Sequence, residues 1–329
     1  MSVNARVGGA GVAVLELDRP RALNALDLPM VTAVRDALRA WHDDDSVRAV
    51  VVRSTSPKAF CAGGDIRAVR EAGVLGDDAA VRAYFTAEYG LNLAISDFPK
   101  PCTALVDGYA MGGGLGVSVH GSALVATERA TLAMPETAIG FFPDIGASWF
   151  LPRLPGAVGW YLGLTGARLS GAAAVECGLA THFVPAADLA ALEEALTGAD
   201  GVRPQAVLDR FARPAPPSEL AGHREAIARC FTAPDLAGVF HRLAEERADR
   251  AWAEETLDAL RRASPMSLVA TFDVLSSGAA APSLRDCLAT ELELACRTAR
   301  EPDFHEGVRA ALVDRDRAPV WTSSLPFPV

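Results

Sequence analysis

The sequence predicts an α/β fold followed by a mainly helical C-terminal region, and three observations carry that expectation. Short apolar runs alternate with stretches of helical period through the first half of the chain. Two glycine-rich turns, Ala59-Phe60-Cys61-Ala62-Gly63-Gly64-Asp65 and Gly108-Tyr109-Ala110-Met111-Gly112-Gly113-Gly114, each come after a strand-like run. Beyond Pro185 the β-branched clustering fades and helical periodicity takes over, which sets an expected division into a core over residues 1–190 and a helical region over 191–329.

Each element follows from its pattern. Val12, Val14 and Glu16 alternate with Ala13, Leu15 and Leu17, and the run stops at Asp18-Arg19-Pro20, which reads as a strand. Met30, Val31, Val34, Ala37, Leu38 and Trp41 recur at three- and four-residue spacing, the mark of a helix with one buried face. Ala49 to Val52 is a short apolar strand leading to the first glycine turn, and helical sequence follows from Asp77 to Ser96. Thr103 to Val106 is a further strand, after which the triple glycine opens a run of small and apolar residues expected to form a buried helix. Leu124 to Ala126 begins the next unit. Arg213 to Pro217 is a proline-rich loop. Leu284, Leu288, Leu292, Ala295, Cys296 and Ala299 define a late amphipathic helix whose stripe is core packing.

Composition narrows the function. With 329 residues and 50% hydrophobic content the chain can bury a substantial core. Its net charge of −10, from 41 acids against 31 bases, repels nucleic acid and anionic membrane, and no basic patch overrides it. The six cysteines form no C-x-x-C pair and the six histidines show no metal-ligand spacing, so neither a metal nor a disulfide framework is expected. The N-terminal segment lacks a signal-peptide core and no stretch reaches the length of a membrane span. A reducing compartment, the cytoplasm, is the expected location.

Candidate chemistry centres on the stretch from Lys100 to Pro155. Glu136 and Asp144 stand isolated there in apolar, glycine- and proline-punctuated sequence. A carboxylate is costly to bury unless paired or hydrogen-bonded, so acids placed this way are candidates for function. Glycines at a strand-to-helix turn let backbone N–H groups approach a ligand closely. Two such turns could each aim one N–H at a single oxygen, which makes an oxyanion hole for a carbonyl. The plainer alternatives are close packing for the glycines and helix capping for Glu136 and Asp65. Gly116 to Gly121 falls short of a nucleophile elbow because His120 stands where glycine is required, so Ser118 is expected to be structural and His120 a core residue. No dinucleotide fingerprint or P-loop is present in the sequence.

The AFCAGGD turn, the GYAMGGG turn and the MPE segment resemble the crotonase, or enoyl-CoA hydratase/isomerase, superfamily. More narrowly, MGGGLGVSVHG, VATERATLAMPETAIGFFPDIG, FLPRLPG, LTGARLSG, GLATHFV and DFHEGVRAALVDRDRAPVW are similar to its 3-hydroxyisobutyryl-CoA hydrolase branch. The resemblance runs over residues 19–321 and implies the crotonase fold, a spiral of ββα units followed by helices. It implies that Gly64 and Gly113 supply the oxyanion N–H groups, that Glu136 is the main catalytic carboxylate assisted by Asp144, and that Glu88 lines the acyl pocket. Without it, Glu88 reads as a solvated helix face.

The resemblance also implies an acyl-CoA substrate, with coenzyme A as part of it and no separate cofactor, and it raises a homo-oligomer as an expectation. Hydratases of the superfamily carry a second glutamate at the position of Gly116, so this chain lacks one partner for two-carboxylate hydration while one-residue attack on a thioester stays open. There are departures from the family pattern. Ser54-Thr55-Ser56-Pro57 replaces a more glycine-rich lead, Leu124 stands where arginine is frequent, and Ala147 and Ser148 stand where glycines are common. Two other functions compete with thioester hydrolysis: enoyl-CoA hydration or isomerisation, and acyl-CoA binding without catalysis.

Overall fold

Valine, leucine and alanine runs too short for helices pair into a sheet when both faces can be covered. Such runs build the larger of two sheets. The computed structural model describes residues 2–198 and 203–327. Its strands are β1 (Val3–Val7), β2 (Val12–Leu17), β3 (Ala49–Ser54), β4 (Ala59–Cys61), β5 (Cys102–Val106), β6 (Tyr109–Met111), β7 (Ala123–Ala126), β8 (Thr131–Ala133), β9 (Leu169–Ser170) and β10 (His182–Phe183). A six-stranded sheet runs β1-β2-β3-β5-β7-β10, and a four-stranded sheet runs β4-β6-β8-β9. In the larger sheet only β1 is antiparallel to its neighbour. The registers Val14 to Val51 and Val51 to Thr103 align its most buried residues.

The chain divides into two compact units interleaved along the sequence, residues 1–64, 87–132 and 169–218 in the first and 65–86, 133–168 and 219–329 in the second. Residue 190 falls inside the first unit. The reason is packing: Leu192 and Leu196 of the helix Leu189–Gly198, with Val207 and Leu208 of the helix Pro204–Phe211, cover one face of the larger sheet against Val12, Val51, Leu105 and Val125.

The sequence-predicted elements form with their ends shifted by a residue or two. The alternating run is β2, the first helix spans Leu28–His42 and the second long one Asp78–Ser96. The helix expected after the triple glycine is a single turn, Gly113–Gly116, because glycine resists helix propagation. Asp65 occupies the N-cap of the helix Ile66–Val74 but makes no side-chain capping bond. Ser118 is structural, its hydroxyl donating to the Gly114 and Leu115 carbonyls at 3.0 and 3.1 Å.

In the second unit the described residues after position 219 are helical or irregular. Phe141 stacks between Phe85 and Phe142, with centroids at 5.6 and 4.7 Å, and Phe304 tilts against it at 5.4 Å. Beside this cluster Gly140, with φ +73°, ends the 3-10 turn Glu136–Ile139 and faces the backbone carbonyl of Asp303. A methyl group there would overlap that carbonyl while the backbone sits in the left-handed region. Gly140→Ala is therefore expected to lower stability by about 1–3 kcal/mol or more. Urea unfolding with an unchanged slope checks this, and a loss under about 0.5 kcal/mol would contradict the close approach.

Candidate active site

In the first unit β4 and β6 are parallel neighbours, so the glycine turns that follow them emerge side by side. Glycine alone lets them interlock. Gly63 has φ +106° and its missing Cβ would lie 3.0 Å from the Met111 carbonyl, and that of Gly114 would press on the Cys61 carbonyl. A Cβ on Gly113 would stand 3.0 Å from the Gly64 nitrogen and 2.5 Å from Glu88 Oε1. Gly64, Gly113 and Glu88 thus converge within one side chain's width.

Local bonds fix the first turn. Ala62 N donates to Leu23 O at 2.9 Å and Leu26 N to Gly63 O at 2.8 Å. Asn24, itself left-handed at φ +57°, donates through Nδ2 to Phe60 O at 3.0 Å and to Ser54 Oγ at 2.7 Å. The Ser54 departure thus anchors the approach to the turn. Asn24 carried no signal in the sequence beyond its turn-forming type.

Glu88 is 2% exposed rather than solvated. Its helical neighbours Tyr84, Phe85 and Leu91 are buried on the same side, and this spacing was the available signal. Asn92, one turn on, is also buried, and neither of its amide heavy atoms has a hydrogen-bond partner. The surroundings are dry: burial pushes the Cys61 thiol up to about 12, with the Glu88 charge adding to the effect.

The second unit holds the two isolated acids, Glu136 at 7% and Asp144 at 5% exposure. The Glu136 carbonyl accepts from Phe141 N at 3.0 Å and that of Thr137 from Ser264 N at 3.0 Å, so the backbone carrying Glu136 is tied from two directions. Asp144 precedes two left-handed residues, Ile145 at φ +57° and Gly146 at φ +82°. Behind this turn lies a carboxylate that sequence reasoning missed. Glu291, fully buried in the helix Leu284–Thr298, accepts from Gly146 N at 2.7 Å, Ser148 N at 3.0 Å and Ser148 Oγ at 2.5 Å. It sits three residues after Leu288 and four before Ala295, inside the predicted apolar stripe, where an acid should have drawn notice. The Ser148 departure from the glycine pattern thus supplies one of its donors.

A model of the enoyl-CoA hydratase/isomerase family matches residues 12–325. The chain belongs to that family. Among curated members it is 40% identical to the mitochondrial 3-hydroxyisobutyryl-CoA hydrolase of Gallus gallus, over 95% of this chain and 82% of that protein. The same identity holds for the human mitochondrial 3-hydroxyisobutyryl-CoA hydrolase, over 94% and 81%. Among solved structures it superposes with a TM-score of 0.91 on a carnitinyl-CoA dehydratase from Mycobacterium thermoresistibile, at 37% identity over 97% of this chain and 91% of that one. An enoyl-CoA hydratase from Rhodobacter sphaeroides gives the same score at 39% identity, over 99% and 94%. These relatives share the crotonase fold, and the predicted fold class holds.

The residues predicted for the site fall into two sets here. Gly64, Gly113 and Glu88 are brought together in the first unit, while Glu136 and Asp144 lie eight residues apart on buried turns of the second.

Glu291 has a consequence for stability. Burial pushes its carboxyl from 4.5 to about 8, with the Asp144 charge adding to the rise while the Ser148 and Gly146 donors oppose it. Between these values the folded chain binds more proton than the unfolded one, so this contribution to stability is full below pH 4.5 and is lost as pH rises through about 8. The total is on the order of a few kcal/mol. Urea unfolding of the wild type from pH 5.5 to 8.5 should show this decline, and Glu291→Gln, which cannot titrate, should flatten it. Parallel curves would show that Glu291 ionises in the folded chain at its ordinary value.

Proposed function

We propose that this chain hydrolyses 3-hydroxyisobutyryl-CoA to 3-hydroxyisobutyrate and coenzyme A, a step of valine breakdown. The observation that carries the reading is Gly116, buried in the turn after the triple glycine, in a chain 40% identical over most of its length to proteins named for this hydrolysis. Hydration uses a pair of carboxylates to activate and orient water, and position 116 offers none. Thioester cleavage needs one nucleophile or base and a place for the carbonyl charge.

In this reading Gly64 and Gly113 donate their N–H groups to the thioester oxygen, and Glu88 lines the acyl pocket beside them. Glu136 attacks the carbonyl carbon, the C–S bond breaks, and coenzyme A leaves as a thiol after taking up a proton. Water then opens the mixed anhydride. In the other form of the step, Glu136 removes a proton from the water that attacks. Asp144 binds the acyl 3-hydroxyl or positions that water. Bonds are exchanged without change of oxidation state, so the reaction asks for no cofactor beyond the coenzyme A of the substrate. An acyl-CoA as the one small-molecule partner, no nucleic acid or membrane, a homo-oligomeric state and a cytoplasmic location complete the proposal. Six free and buried cysteines suit a reducing compartment, and the vertebrate relatives are named as mitochondrial.

Enoyl-CoA hydration is the second reading, favoured by the names of the two structures at 37% and 39% identity. Thiol release from 3-hydroxyisobutyryl-CoA, set beside water addition to crotonyl-CoA, separates the two. Release of thiol with no hydration supports the hydrolase, and the reverse overturns it.

Glu136→Gln keeps shape but can act neither as nucleophile nor as base. Its kcat should fall by about 10²-fold or more with little change in stability or in coenzyme A binding. Retention of more than about a tenth of the wild-type kcat would remove Glu136 from the chemistry.

Asp144→Asn should hurt 3-hydroxyisobutyryl-CoA more than isobutyryl-CoA, which lacks the hydroxyl. A hydrogen bond to a charged group contributes about 1.5–3 kcal/mol, so the ratio of the two kcat/KM values should narrow by about 10- to 100-fold. Equal losses on both substrates would instead assign Asp144 to water or to the orientation of Glu136.

A further inference from the structure

The turn from Asp144 to Ser148 holds a conformation that its own residues disfavour. Ile145 is β-branched and sits at φ +57°, directly before Gly146 at φ +82°. A β-branched residue there is an outlier, and such backbone persists only where the surroundings over-determine it. Prominent among the surroundings is one carboxyl group. Glu291 enters from the helix Leu284–Thr298 and takes three hydrogen bonds from Gly146 and Ser148, while Ala147 N donates to the Asp144 carbonyl at 2.9 Å and closes the turn. Gly278 also packs against the Ser148 backbone, where only glycine fits.

We propose that Glu291 is a positioning residue for the reaction, winding residues 144–148 around its carboxyl group and so fixing the direction in which the Asp144 side chain points. The inference rests on the hydrolase reading and extends it to a residue of the helix Leu284–Thr298. Removing one acceptor releases the Gly146 N–H, and the left-handed pair relaxes toward ordinary backbone. Asp144 turns with it. The amide of Glu291→Gln does this with minimal change of volume, because its nitrogen presents a donor where a donor already stands.

A double-mutant cycle on kcat/KM with 3-hydroxyisobutyryl-CoA tests the assignment. Glu291→Gln should lose about 10-fold or more in the wild-type background, and no more than about 2-fold when Asp144→Asn is already present. Rates are taken per folded chain, so a residue that only supports the fold would show no loss of either kind. Additive losses, or none, overturn the proposal. Ser148→Ala removes one of the three donors and leaves the carboxylate in place. It should lose about 2- to 5-fold, again only when Asp144 is intact. If Glu291→Gln does not fold, this second cycle decides, and additive or absent losses in it overturn the proposal. A wild-type chain that releases no thiol overturns the hydrolase reading and the inference with it, whereas an active wild type with additive cycles overturns the inference alone.

Discussion

The first unit depends on two stretches of backbone approaching more closely than any side chain allows. Strands β4 and β6 deliver their turns in parallel, and Gly63 and Gly114 let those turns meet at the Met111 and Cys61 carbonyls. With the turns interlocked, Gly113 comes within a Cβ's reach of both Gly64 and Glu88. The parallel sheet beside them serves this arrangement by holding β3 and β5 in register, so that the segments leading into both turns are rigid. Larger residues at these positions would separate the turns and remove the convergence of donors and acid.

Carboxylates removed from water need different treatment according to their use. Asp303 shows the structural solution. Burial alone would raise its carboxyl, but Ser323, Ser264 and Thr322 donate to it and hold it below the usual range, which ties the C-terminal segment to the helices beneath. Glu291 is also donor-rich, yet it is buried completely and feels the charge of Asp144, and its carboxyl rises. The contrast follows from the same three influences in different proportion: desolvation, neighbouring charge and hydrogen bonding to the charged form. Glu136 and Asp144 are carried on tight turns closed by local backbone bonds and tied to distant segments, through Ser264 N on Thr137 O and through Glu291 on Gly146 and Ser148.

The elements were legible because their signals are local. A period of two marked β2, a spacing of three and four marked the helix Leu28–His42, and the late stripe marked Leu284–Thr298. The glycine turns and the isolation of Glu136 and Asp144 were legible for the same reason, since each is a contrast within a few residues. The single turn Gly113–Gly116 was shorter than expected because packing and apolar content do not offset the helix-breaking cost of four glycines in five residues, Gly112 to Gly116. The interleaving of the two units along the chain had no local signal. Helices beyond residue 189 return to cover the first unit's sheet, and a change in composition says nothing about which surface a helix will cover.

By itself the sequence determined the alternation of strands and helices, the two glycine turns and the family, because each resides in a continuous string of residues. Tertiary structure alone decided that Glu88 is buried against Gly113, that Asn24 braces the first turn, and that Ser148 has a partner in Glu291. The bonds from Gly146 and Ser148 to Glu291 join residues 145 and 143 positions apart. No local pattern encodes such a pairing. Whether a polar side chain faces water or a dry contact depends on what the rest of the chain places opposite it, and that is settled only when the whole chain has folded.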